Sequence, residues 1–168
     1  MSLLALLQTG CLIAFAGVLL VAAWRDLRTM RIANGFSLAI VGAFGLWAVV
    51  GLAAGTLSLQ ALAWAIACGA GLFALGAGAF AMGMIGGGDV KLMAAVGLFA
   101  GPALLLEFLT VMALAGGALG FAVLAGAPLG AAAGRGEATV RARLRGGLPY
   151  GPAIATGGLW VAALRVAG

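Results

Sequence analysis

Residues 92–125 read LMAAVGLFAGPALLLEFLTVMALAGGALGFAVLA, an apolar stretch that carries a single charge, Glu107. As one helix, at 1.5 Å per residue, it would measure about 50 Å. The hydrocarbon core of a bilayer is about 30 Å thick and is crossed by roughly 20 apolar residues. The stretch is therefore too long for one crossing and too apolar for a water-facing helix. Gly101-Pro102 is the natural place to divide it, because proline suits the first turn of a new helix. Glu107 is the competing break.

The flanking sequence has the same character. Further apolar runs extend from Leu3 to Ala23, from Phe36 to about Ala54, from Leu59 to Phe80 and from Pro149 to Val166. Across the chain, 65% of residues are hydrophobic and 8% charged, with a mean hydropathy of +1.24. A soluble domain carries about 25% charged residues, so a water-facing surface cannot be assembled from this composition. The reading is an all-α, polytopic membrane helical bundle forming a single domain over 1–168. It has about six transmembrane elements, at about 3–23, 36–54, 59–80, 90–101, 103–125 and 149–166. The fourth is the weak one, about 18 Å long as a helix. Most of the 30 glycines are expected to be packing residues that let helices approach.

Charge placement sets the expected orientation. With the N-terminus outside, the loops at 24–35, 81–91 and 126–148 face the cytoplasm. They hold Arg25, Arg28, Arg31, Lys91, Arg135, Arg141, Arg143 and Arg145, eight of the nine basic residues. Arg165 lies at the outer end. This is the positive-inside pattern, and it accounts for the net charge of +5 without nucleic acid. Short basic loops between apolar runs are not a folded basic patch. The first basic residue follows the first apolar run, whereas a signal peptide has its basic region in front. Residues 3–23 are thus read as a retained span. Cys11 and Cys68 lie within apolar runs and there is no His. The pattern offers no zinc site, and both cysteines read as small buried residues.

The chain has four acids: Asp26, Asp89, Glu107 and Glu137. Asp26 falls at the cytoplasmic end of the first span and Asp89 at the cytoplasmic start of the fourth, so both lie at one depth. Two aspartates that meet cannot easily both ionise, and one keeps a proton. The ionised member can take a proton from a water attacking a peptide carbonyl, while the protonated member donates to the carbonyl oxygen or the leaving amine. Such a reaction needs neither metal nor cofactor. The plainer reading of Asp26 is a solvated flank beside arginines. Asp89 follows Gly86, Gly87 and Gly88 and opens a helix, where an aspartate caps free N–H groups. The three glycines also let backbone pass close to an extended substrate.

GGGDVKLMAAVGLF at 86–99 fits the Gly-x-Gly-Asp signature of membrane aspartyl proteases and resembles the bacterial type IV prepilin leader peptidases. DLRTMRIANG at 26–35 is similar to that family's first aspartate segment, and LPYGPAIATGG at 148–158 to its closing segment. Three segments in this order span most of the chain. The resemblance implies an intramembrane aspartyl endopeptidase of the bacterial inner membrane. It would remove the leader from prepilins or pseudopilins after a glycine, at the cytoplasmic face, with Asp26 and Asp89 as the catalytic pair. It also implies that the pilin's apolar helix docks among the spans, and that Pro149 and Tyr150 border the site. Ala33 stands where many relatives have proline. The tetracysteine zinc insertion of larger, N-methylating members is missing. The chain therefore resembles the short branch associated with Flp/Tad-type pili, and peptidase activity without methyl transfer is expected.

The remaining polar residues have plainer expectations. Lys91 anchors its helix at the interface or pairs with a substrate acid. Arg25, Arg28 and Arg31 serve topology or attract an acidic substrate residue. Glu107 is an outer-interface residue or a polar contact within the bundle, and Asn34 caps the second span. The rival function classes are a small ion- or proton-coupled transporter, which prefers acids near the midplane and an internal repeat, and an inactive scaffold for pilus or secretion assembly.

Overall fold

The computed structural model of the chain describes residues 2–125 and 149–167. The loop expected at 126–148, with four arginines and Glu137, lies outside them. Among the described residues there are five helices and no strand: α1 (Leu3–Thr29), α2 (Asn34–Ala53), α3 (Leu59–Ala81), α4 (Gly87–Leu124) and α5 (Gly151–Ala167). The first four are each long and apolar enough to cross a membrane.

Helix starts follow the local chemistry. Ser2 caps α1 by accepting from the Ala5 N–H at 3.2 Å, and Ser58 caps α3 by accepting from the Ala61 N–H at 3.1 Å. Each satisfies a donor that has no partner within the helix. Asn34 does not cap α2: the cap position belongs to Ala33, with no side-chain bond. The Asn34 amide oxygen instead accepts from Lys91 Nζ at 2.9 Å. That bond ties the start of α2 to α4, and an amide held across to another helix cannot also fold back on its own backbone.

The long apolar stretch forms two helical segments that meet within α4 at Gly101, whose φ of 56° and ψ of −173° lie outside helical geometry. The division expected at Gly101-Pro102 is therefore a kink rather than a loop, and Glu107 lies within the helical run after it. Breaking a helix leaves carbonyls without partners. Here Arg165 of α5 serves them: its Nε donates to the Phe99 carbonyl at 3.1 Å and its Nη2 to the Ala100 carbonyl at 3.3 Å. The same guanidinium lies 5.4 Å from the Trp47 ring centroid.

Helix α4 is the hub, packing on α2, α3 and α5, while α1 packs on α2 and α5. The core centres on Phe99, which is fully buried. It stacks on Phe15 of α1 at 4.3 Å between centroids and meets Phe44 of α2 edge-on at 5.3 Å. Facing outward are large apolar side chains such as Leu3, Ile13, Leu38, Leu75, Leu106 and Phe121. A surface of this kind suits hydrocarbon, where apolar side chains cost nothing to expose. The glycines divide. A Cβ at Gly69, Gly97, Gly157 or Gly158 would meet a neighbouring helix at 2.5–2.8 Å. Gly10, Gly17, Gly42, Gly45, Gly71 and Gly78 have nothing within 4 Å. Packing therefore explains the first group and not the second.

Candidate active site

The apolar run that starts α1 ends at Ala23, but the helix continues to Thr29. Asp26 thus stands on a rigid element, not on a loop. It is only 4% exposed and, with Ser37, is one of two buried polar side chains among the described residues. The solvated-flank reading does not hold for it. Its Oδ2 accepts from the Gly151 N–H at 2.8 Å, across 125 positions of sequence. Gly151 is the first residue of α5. Its N–H is one of the donors a helix leaves free at its start, where the helix dipole also favours a negative group. A Cβ on Gly151 would lie 2.7 Å from Asp26 Cβ and 2.8 Å from Oδ2. Only glycine lets the N-terminus of α5 approach the carboxyl group this closely.

The chain reaches the second aspartate through a reversal. Met30 ends α1 in the left-handed region at φ 53°, and its N–H returns to the Asp26 carbonyl at 2.8 Å. Residues 31–33 then lead into α2, and Ile32 lies against Gly88. A Cβ on Gly88 would come 2.9 Å from the Ile32 carbonyl oxygen and 3.0 Å from its Cβ. A Cβ on Gly86 would come 2.8 Å from Asp89 Oδ2, whereas one on Gly87 would meet the Phe80 ring at an ordinary 3.4 Å. The Gly-x-Gly-Asp pattern therefore has a steric basis. Gly88 has no room for a side chain against the Ile32 backbone, a side chain at Gly86 would press on the Asp89 carboxyl group, and the variable position has room. Within the chain, the close approaches are to Ile32 and to Asp89 itself.

Asp89 is the third residue of α4, half-buried, and the Gly86 N–H faces its carboxylate. That position, third in the helix, is the one from which an acidic side chain can reach back to the cap residue. The fold gathers the helix ends that carry the two aspartates: Asp26, near the end of α1, is bonded to the start of α5, and Asp89, at the start of α4, follows Gly88, which lies against Ile32 just beyond α1.

The other expected site residues lie around these helix ends. Pro149 is fully buried and Tyr150 is 39% exposed, immediately before Gly151. Lys91 is exposed on α4, bonded to Asn34. Arg25 stacks over Phe36 at 6.0 Å and Arg28 over Trp24 at 4.3 Å. Each guanidinium rests on an aromatic face, an arrangement suited to an interface. Glu107 accepts from Trp160 Nε1 at 3.1 Å, a polar contact between α4 and α5. Among the described residues no three His, Cys, Asp or Glu side chains lie together as a metal's ligands would. Sequence reading missed three contributors: Gly151 as donor to Asp26, Ile32 as the wall behind Gly88, and Arg165 at the kink. Only Gly151 had a signal, within the closing segment at 148–158.

A model of the type IV leader peptidase family matches residues 13–121. The match contains Asp26 and the turn from Gly86 to Asp89, and stops short of Gly151. Neither the comparison with curated proteins nor that with solved structures gave a match.

Proposed function

The chain belongs to the type IV leader peptidase family, and from that premise we propose that it is an aspartic-type endopeptidase that removes the leader of prepilins or pseudopilins, with Asp26 and Asp89 as its catalytic pair. The observation that supports this reading is the placement of both aspartates at one end of the helical bundle. One is buried and held by the first N–H of α5, and the other stands at the start of α4, whose Gly88 lies against Ile32 just beyond α1.

In this reading a water sits between the two carboxyl groups. The ionised member takes its proton as the water oxygen attacks the scissile carbonyl carbon. The protonated member donates to the carbonyl oxygen, giving a neutral tetrahedral diol. Collapse of that intermediate breaks the C–N bond, and the nitrogen leaves as an amine after receiving a proton from the pair. The two carboxyl groups titrate and act as a unit. The chain's own contribution is position: α5 fixes Asp26, and the glycine turn against Ile32 fixes Asp89.

We place the protein in the bacterial inner membrane as a single multi-pass domain with six crossings, the kinked α4 providing two. Its N-terminus is outside and the aspartates face the cytoplasm. The support is the charge pattern, with Arg25, Arg28, Arg31 and Lys91 at the aspartate end of the described helices. Service of a Flp/Tad-type pilus, with peptidase activity alone, is the finer assignment. It is supported by the resemblance of the three segments and by the sequence holding only two cysteines, Cys11 and Cys68, where a tetracysteine zinc site needs four.

Co-expression with a prepilin and a gel assay of leader removal tests the function. Wild type should shorten the pilin, and Asp26→Asn and Asp89→Asn should each leave it uncut. A transporter would give substrate flux with no cleavage, and a scaffold would tolerate both changes.

A further inference from the structure

The connector between α1 and α2 begins at the helix that bears one aspartate and lies against the helix that bears the other. It leaves α1 at Met30, whose N–H returns to the Asp26 carbonyl at 2.8 Å, and enters α2 at Asn34. Residues 31–33 are not helical, and Ala33 gives α2 no side-chain cap. A connector with so few bonds of its own takes its position from what it touches, and it touches the start of α4. Ile32 lies against Gly88, and the Asn34 amide oxygen accepts from Lys91 Nζ at 2.9 Å.

Gly88 and Lys91 are three positions apart, so they share one face of α4. Residues two apart on a helix do not face each other, so Lys91 is directed to α2 and not to Asp89. Asp89 is thereby bracketed. The contact one residue before it and the bond two residues after it both fasten its helical turn to the segment that follows Asp26.

Stability does not account for the bond. Lys91 and Asn34 are both exposed. Such a bond gains little, because water offers Nζ equivalent partners and a long side chain loses rotamer freedom when it is held. A lysine at a membrane interface otherwise extends its ammonium toward headgroups and water. This one is held by a residue 57 positions away. Among the described residues it makes the one side-chain bond between α2 and α4.

We infer that Lys91 and Asn34 are a positioning pair of the peptidase: their bond sets the Asp89 turn against the segment that follows Asp26, and neither side chain touches the reacting atoms. The inference rests on the peptidase reading and assigns Lys91 to Asn34, not to a substrate acid or to the interface alone. Two carboxyl groups that share a water tolerate little displacement, so a tie with a small effect on stability has a large effect on rate.

Leader removal by purified enzyme is measured for Lys91→Met, Asn34→Leu and the double variant, beside Lys91→Arg and Asn34→Asp, which keep a donor and an acceptor. Lys91→Met and Asn34→Leu should each lower kcat about tenfold with KM within about twofold, because the loss is in placement of the reacting groups and not in binding. The double variant should be no slower than either single one, since both remove the same bond. Lys91→Arg and Asn34→Asp should each stay within about threefold of wild type, since a charge-assisted bond remains. A wild-type kcat in Asn34→Leu beside a slow Lys91→Met would overturn the inference, because the lysine would then act on substrate or lipid by itself. Losses confined to KM, or single losses that multiply in the double variant, would overturn it as well.

Hydrogen exchange of backbone amides reads the placement without turnover. The Val90 N–H, bonded to the Gly86 carbonyl at 3.2 Å, and the amides of residues 31–34 should exchange faster in both Lys91→Met and Asn34→Leu. Unchanged exchange in both regions would overturn the inference. If wild type cuts no prepilin, the peptidase reading fails, and the exchange still decides whether the bond places the Asp89 turn.

Discussion

Gly151→Ala is the substitution for which the structure gives the sharpest number. The added Cβ would stand 2.7 Å from Asp26 Cβ, 2.8 Å from Oδ2 and 3.0 Å from Cγ. Ordinary contact begins at about 3.4 Å, so Asp26 and the start of α5 must separate by about 0.7 Å. Both are helix-borne, and overpacking of this kind costs about 1–3 kcal/mol. Alanine recovers up to about 1 kcal/mol as the better helix former, so the folded chain should survive. The 2.8 Å bond from Gly151 to Asp26 should not survive at its present length. A misplacement of about 1 Å at a catalytic group can lower the rate about 100-fold. We therefore expect kcat for leader removal by purified enzyme to fall by one to two orders of magnitude, with the melting temperature little changed. Gly35→Ala is the comparison, since a Cβ there has nothing within 4 Å. Leader removal by Gly151→Ala within about twofold of wild type would refute the reasoning, because the contact would then be neither tight nor important to Asp26.

Two further outcomes follow from the geometry. Gly88→Ala should lower activity about tenfold or more, because its Cβ would press on the Ile32 backbone at 2.9 Å, whereas Gly87→Ala, facing Phe80 at 3.4 Å, should stay near wild type; processing rates of the pair give the answer. Arg165→Gln removes the guanidinium that serves the Phe99 and Ala100 carbonyls at the kink; thermal unfolding in detergent should show a loss of about 1–3 kcal/mol, and an unchanged midpoint would mean that lipid or backbone rearrangement serves those carbonyls instead.

Much of this architecture was legible because the bilayer imposes simple rules. Length and hydropathy located all five helices, and the Gly101-Pro102 pair located the kink. Helix ends were less legible. Asp26 looked like a flank because the apolar run stops at Ala23, while α1 continues to Thr29 and buries it against α5. Nothing local to Asp26 announces Gly151, since the bond joins positions 125 apart. Asn34 failed as a cap for a similar reason: its preferred partner, Lys91, is 57 positions away. The Gly-x-Gly-Asp turn was found by its pattern, but its physical cause required the position of Ile32. Arg165 was assigned to topology because the need for it arises only once α4 is broken and its carbonyls are left open.

The central claim is that Asp26 and Asp89 act as one unit on one water. Kinetics of the purified protein with Asp26→Asn, Asp89→Asn and both changes together address it directly, since groups that act together are not additive. The account predicts that all three variants fall to the same residual rate. A single variant that still removes the leader at a measurable fraction of the wild-type rate, or two single losses that multiply in the double variant, would contradict it.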